Sequence, residues 1–271
     1  MSPGARLLEP ERRGHGRAVT IWDLKAGREL RTIRPATDYF GFFSFDVSPD
    51  VSSIALGGWS ERTCCGGSSA GRAWDSSTGD ELWRIGHERD VNEVAFRPDG
   101  EHLATADWER VAKIVDRSGR VLRVLGGGED FNFSDVAFSS DGHLVATAEF
   151  NNRGRERVRV WDWAGRDVLL TIDAEGPSAQ VDFDPSGPRV VLSGSDGVAE
   201  QWDVESSERL AVLAGPPGGV NDLAFSPDGS RVATASVDGL VRLFDADTGA
   251  LRLSLRGSGC AVEVWLSVRT V

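Results

Sequence analysis

Cysteine is scarce in this chain: Cys64, Cys65 and Cys260 are the only three, and two are adjacent. No disulfide framework can be built from them, and Cys64-Cys65 has no second CxxC to complete a zinc site, so their use fits a reducing cytoplasm. Helix-period patterns longer than two turns are missing, which argues against helical bundles and α/β folds. No apolar run approaches membrane-spanning length, and the opening MSPGARLLEPERRGHG has no apolar signal core. Lysine is nearly absent: of 30 basic residues only Lys25 and Lys113 are not arginine. Acidic residues number 42 and the formal net charge is −12. Such a molecule repels nucleic acid and anionic membrane as a whole, so neither is expected as a partner.

What the chain has in quantity is turn chemistry, with 32 glycines and 11 prolines. Residues 218–255, GGVNDLAFSPDGSRVATASVDGLVRLFDADTGALRLSL, show how it is used. Val220 to Phe225 is a short apolar run closed by Ser226-Pro227-Asp228-Gly229, with Pro second and Gly last. Arg231 to Ala235 resumes with β-branched and small residues and breaks at Asp238-Gly239. Val241 to Asp245 alternates at period two, Asp247-Thr248-Gly249 turns the chain, and Leu251, Leu253 and Leu255 alternate again. The pattern predicts four strands joined by three tight turns, one antiparallel meander of about 40 residues. A lone sheet of this size cannot bury both faces, so it needs copies of itself.

The copies are present. The pair ending the third strand recurs as Trp22-Asp23, Trp74-Asp75, Val115-Asp116, Trp161-Asp162, Trp202-Asp203 and Phe244-Asp245, at intervals of 41 to 52 residues. The first turn recurs as SPD at 48–50, RPDG at 97–100, SSDG at 139–142 and DPSG at 184–187. Two independent landmarks keep one period along nearly the whole chain. In this the chain resembles the WD-repeat β-propeller family, and Gly86-His87 matches that family's other signature. The resemblance implies an all-β propeller of four-stranded antiparallel blades in a single domain over 1–271. It also implies a hydrogen-bonded His, Ser/Thr, Asp and Trp set bracing each blade. The third blade offers His87 and Thr105, with Glu109 at the Asp position and Val115 in place of Trp. Trp22, Trp74, Trp161, Trp202 and Phe244 are expected to pack between blades.

The register places Arg6 to Glu9 at second-strand positions and aligns Ala261–Ser267 with the first strand Val220–Ser226. The expected count is then six blades, at about 5–34 with 260–271, 40–85, 89–125, 131–172, 178–213 and 219–255. The first is composite and is closed by the C-terminal strand, which removes exposed edges. The competing arrangement is a fragment of a seven-bladed ring.

Candidate chemistry is thin. His15, His87, His102 and His143 fall at different repeat positions, without HxxxH or HxH spacing. Gly66-Gly67 and Gly126-Gly127-Gly128 precede no helix and no GK[ST], so they do not cradle phosphate. The turn aspartates Asp50, Asp99, Asp141 and Asp228 are expected to bond their own backbone rather than calcium. No catalytic residue, metal, cofactor or small-molecule substrate is therefore expected.

One repeat position stands apart. After the second strand it holds Trp59, Trp108, Phe150, Ser195 and Val237 in blades two to six. On the family pattern it lies on the rim of loops between strands two and three. Tyr39, Phe40 and Phe131 neighbour it, with Arg62, Arg110, Arg153, Arg155 and Arg157 around them. Aromatic and arginine enrichment is the composition of binding hot spots. The chain thus reads as a non-enzymatic scaffold or sensor module that binds a protein or peptide through the aromatic and arginine loop face of blades two to four. The alternative is a six-bladed lactonase or hydrolase with a metal in its central channel. For that, the first-strand residues Asn92, Glu93, Asp135, Asp182, Asn221 and Asp222 would have to converge, yet they do not share one register.

Overall fold

Period-two runs of six or so residues, cut by Ser-Pro-Asp-Gly and Asp-Gly turns, can only form short antiparallel strands, and they do. The computed structural model describes residues 6–10, 18–23, 26–34, 39–60, 69–87, 89–108, 110–126, 130–163, 167–175, 180–193, 197–215 and 219–256. Among these residues every regular element is a β-strand, in six antiparallel meanders whose strand order follows the chain. The fold is all-β and of the β-propeller type. Two compact units divide it, three sheets to each.

In unit one the first sheet is β1 (Arg6–Pro10), β2 (Val19–Asp23) and β3 (Arg28–Ile33). The second is β4 (Tyr39–Val47), β5 (Ser53–Ser60), β6 (Ser69–Asp75) and β7 (Glu81–His87). The third is β8 (Val91–Phe96), β9 (His102–Asp107), β10 (Val111–Asp116) and β11 (Val121–Gly126). Unit two opens with the fourth sheet, β12 (Asn132–Phe138), β13 (Leu144–Phe150), β14 (Arg155–Asp162) and β15 (Val168–Glu175). The fifth is β16 (Val181–Phe183), β17 (Arg189–Ser193), β18 (Val198–Asp203) and β19 (Arg209–Ala214). The sixth is β20 (Val220–Phe225), β21 (Arg231–Ser236), β22 (Leu240–Asp245) and β23 (Leu251–Arg256). The segment 260–271, expected to complete the first sheet, lies outside the described residues, as do all three cysteines.

Within each unit the core lies between successive sheets. Val158 and Val160 of the fourth sheet meet Val181, Phe183, Val190 and Leu192 of the fifth. Val191, Ala199 and Leu213 of the fifth meet Val220, Leu223, Phe225, Val232 and Phe244 of the sixth. In unit one Ala55 and Ile85 meet Val91, Val94, Phe96 and Leu103. A register shift falls just before the Trp-Asp position in all six third-to-fourth strand pairings, so the bulge is part of the repeat. Trp74, Val115, Trp161 and Phe244 at that position are buried. Trp22 and Trp202 are only half-buried, a departure from the expected enclosure.

Turn aspartates bond their own backbone as expected: Asp50, Asp99, Asp141 and Asp228 accept the N–H two residues on at 2.9–3.0 Å. The Ser226 hydroxyl, followed by the Ser230 N–H and hydroxyl, holds the Asp228 carboxyl down at about 2. The glycine closing this turn is left-handed at Gly100, Gly142 and Gly229, with φ between 68° and 72°. Val51 keeps the same conformation at φ 59° although it is β-branched, so this turn is strained.

Carboxylates on the first strands of three sheets tie neighbouring sheets together. Asp46 accepts the N–H of its neighbour Val47 and the N–H of Phe96 in the next sheet, both at 2.7 Å. Asp135 accepts from Val136 at 2.7 Å and from Val181 in the next sheet at 2.8 Å. Asp182 repeats the arrangement with Phe183 at 2.9 Å and Phe225 at 2.8 Å. Each carboxylate satisfies a backbone donor on both sides of a seam.

Candidate functional site

The position holding Trp59, Trp108 and Phe150 falls at the far end of each second strand. Trp59 is the penultimate residue of β5 and Phe150 the last of β13, so these two extend the ladder instead of standing in the loop beyond it. Gly41 pairs with Trp59, and Asn132 and Glu156 flank Phe150. Trp108 follows β9 and donates its backbone N–H to the Asp90 carbonyl at 3.2 Å, as Val237 does to Gly219 at 3.3 Å. That bond fixes the backbone while the indole stays 50% exposed. Phe150 is half-buried. The side chains of Trp59, Tyr39 and Phe40, with all of Arg62 and Ser195, lie outside the described residues.

The turn after Trp108 is unusual in its backbone. The sixth sheet turns there through Val237-Asp238-Gly239, with Gly239 at φ 79°. The third sheet has Trp108-Glu109-Arg110, and Arg110 adopts φ 75° in glycine's place. A left-handed arginine costs on the order of 1 kcal/mol, and this one is exposed beside an exposed tryptophan.

Behind that turn lies a buried polar set. His87 Nδ1 stands 2.6 Å from Asp107 Oδ2, and Nε2 stands 3.0 Å from Thr105 Oγ1. Burial pulls His87 below its ordinary value, with the Asp107 carboxylate pulling the other way. The neutral ring donates from Nδ1 to Asp107 and accepts from the Thr105 hydroxyl. The aspartate of this set is therefore Asp107, on the last residue of β9. Glu109, which the repeat pattern sets at the Asp position, lies outside the described residues. Spacing two residues from Thr105 along a strand puts Asp107 on the threonine's own face, a signal the turn motif had obscured.

The fourth sheet builds the same place differently. Thr147 accepts the Trp161 Nε1–H at 2.9 Å and donates to Glu149 at 2.9 Å. Glu149 is fully buried, and it accepts Arg157 Nε at 2.7 Å and Arg159 at 2.7 and 2.9 Å. The Arg159 guanidinium lies 4.4 Å over the Trp161 ring, and that of Arg157 lies 3.9 Å over Phe131. Arg157 and Phe131 are thus engaged with each other, whereas Arg153, in the turn that follows Phe150, and Arg155, which opens β14, are exposed. The Asn151 side chain accepts the N–H groups of both at 3.0 Å and so shapes this turn. Glu149 was not foreseen from the sequence, although it stands two residues from Thr147 as Asp107 does from Thr105.

Of the inner-strand acids that a channel metal would need, Asp135 and Asp182 are taken up by backbone N–H groups. Among the described residues no three His, Cys, Asp or Glu side chains gather to hold an ion.

Comparison with known proteins bears on the whole repeat. Residues 79–116 and 207–245 match the WD domain, G-beta repeat. The chain is 30% identical over 166 residues to a guanine nucleotide-binding protein subunit beta of Arabidopsis thaliana, covering 58% of this chain and 42% of that protein. A subunit of the same description from Nicotiana tabacum is 31% identical over 161 residues, 56% of this chain and 40% of its own length. Telomerase protein component 1 of Rattus norvegicus is 24% identical over 188 residues, 68% of this chain but 6% of that protein. The chain therefore spans less than half the length of the relatives it matches. With the repeat matched at two sites and six sequential antiparallel meanders in place, the chain carries WD repeats on a fold of the β-propeller type.

Proposed function

We propose that the chain is a non-enzymatic interaction module that holds a protein or peptide against the far ends of its second strands. The observation that carries this reading is Trp108, half exposed and beside an arginine kept in a glycine conformation. An indole in water is unfavourable unless something covers it, and strain at an exposed turn persists where the turn is used. Trp59 holds the same repeat position in the neighbouring sheet of unit one. Tyr39 and Phe40 of β4 and Arg62 extend the set in sequence. In unit two the matching edge has Phe150 with Arg153 and Arg155, and Arg157 lies over Phe131. Tryptophan with arginine favours an acidic or carboxylate-bearing partner, which the net negative charge elsewhere does not prevent. The relatives described as a subunit are parts of an assembly by name, which agrees with a binding role.

A peptide array graded from acidic to basic, probed with the purified chain, tests this. Acidic peptides should bind, and Trp108→Ala should weaken them by about 1–3 kcal/mol, roughly 5- to 150-fold, without changing the melting temperature. Val237→Ala, at the same repeat position in the sixth sheet, should change little. Equal binding by wild type and Trp108→Ala would overturn the assignment.

A further inference from the structure

One residue before the Trp-Asp position the sheets hold Ile21, Ala73, Ile114, Val160 and Leu243, but the fifth sheet holds Gln201. Register sets Gln201 opposite Val191 of β17 and Ala211 of β19, so the three side chains share one face of that sheet. It is the face whose Val191, Ala199 and Leu213 pack against Val220, Phe225 and Phe244 of the sixth sheet. Gln201 is fully buried there. Neither its Nε2 nor its Oε1 finds a hydrogen-bond partner among the described residues. We propose that Gln201 makes the seam between the fifth and sixth sheets the joint at which unit two first opens, the sixth sheet parting from the fifth.

The physical ground is that a carboxamide taken out of water without hydrogen bonds is penalised, and the penalty is lifted once water reaches it. Parting the two sheets does this, so the amide lowers the cost of opening this seam. The fourth and fifth sheets have Val160 at the same position, inside their shared apolar cluster, where no such penalty arises. The sixth sheet is also held less firmly on its outer side. Its fourth strand, β23, is exposed along its whole length, whereas β19 buries Leu213 and β15 buries Leu170 and Ile172. Two polar ties cross the seam. Asp182 accepts the Phe225 N–H at 2.8 Å, and Arg189 meets Asp247 at 2.9 Å. The second lies at an exposed aspartate, where an ion pair contributes little.

Amide hydrogen exchange on the full chain provides the test, because each seam has a backbone N–H that bonds across it. Phe225 reports on the fifth and sixth sheets through Asp182, and Val181 reports on the fourth and fifth through Asp135. In wild type Phe225 should be less protected than Val181. Gln201→Leu, which supplies the residue of the sixth sheet at this position, should raise protection at Phe225 by roughly 5- to 150-fold, the effect of removing an unpaired buried group. If that variant does not fold, Gln201→Met keeps the length of the side chain without its amide, and the same rise is expected. Equal protection of Phe225 and Val181 in wild type would overturn the joint. So would unchanged protection of Phe225 in a folded variant.

Discussion

In the third sheet a buried neutral imidazole joins a threonine to an aspartate. In the fourth, the threonine at the same repeat position joins an indole to a glutamate, and two arginines balance the charge. The third sheet has Val115 where the fourth has Trp161, so its threonine has no indole to accept from. The fourth has no histidine in the set, so its acid is longer and turns toward β14. Both sets brace the end of a second strand and its turn. The repeat evidently demands a satisfied polar knot at this place more than it demands particular residues.

The largest expected effect separates the two knots by charge. Glu149→Ala leaves two partly buried guanidinium groups without their acid, so it should cost about 3–5 kcal/mol in denaturant unfolding. Asp107→Ala removes an acceptor from a neutral ring and from the Val111 N–H, and about 1–3 kcal/mol is expected. If Asp107 costs as much as Glu149, the histidine is charged and the contrast drawn here is wrong.

Acid should sharpen the same contrast. Because burial holds His87 below its ordinary value, the unfolded chain takes up the proton first as pH falls. Stability is therefore fully present above about 6.5 and declines below it until the folded ring is protonated. Subtracting the curve of His87→Gln from that of wild type should isolate an acid-side loss, whereas the difference between Thr147→Val and wild type should be flat with pH.

Smaller effects probe the hydroxyls and the turns. Thr147→Val leaves the Trp161 indole N–H unpaired, and Thr105→Val does the same to a ring nitrogen, so each should cost about 1 kcal/mol. Only the first should alter tryptophan fluorescence near Trp161. At the adjoining turn the third sheet has Arg110 and the fourth Gly154, both left-handed at φ 75° and 73°. Arg110→Gly relieves roughly 1–2 kcal/mol of strain, less roughly 0.4–1 kcal/mol for the looser unfolded chain, so a gain of about 0.5 kcal/mol is expected. A loss in thermal melts would mean that Arg110 makes contacts worth more than its strain.

The sequence alone determined the class of fold, because strand length, turn residues and the Trp-Asp period are local features that leave little choice of backbone. It also located Trp108, since an aromatic where sister repeats have serine or valine is visible by alignment. Other features depended on three-dimensional placement. That Asp107 accepts from His87 depends on which face of β9 its side chain takes, beside Thr105. That Arg157 pairs with a buried glutamate while Arg153 and Arg155 stay exposed depends on the β13–β14 register, which sets Glu149 opposite Arg157. Leu213 and Leu255 share a repeat position and a residue type, yet the first is buried and the second 50% exposed. A period in the sequence specifies which face of a strand is apolar, but burial is decided by what packs against that face, and packing is a property of the assembled sheets.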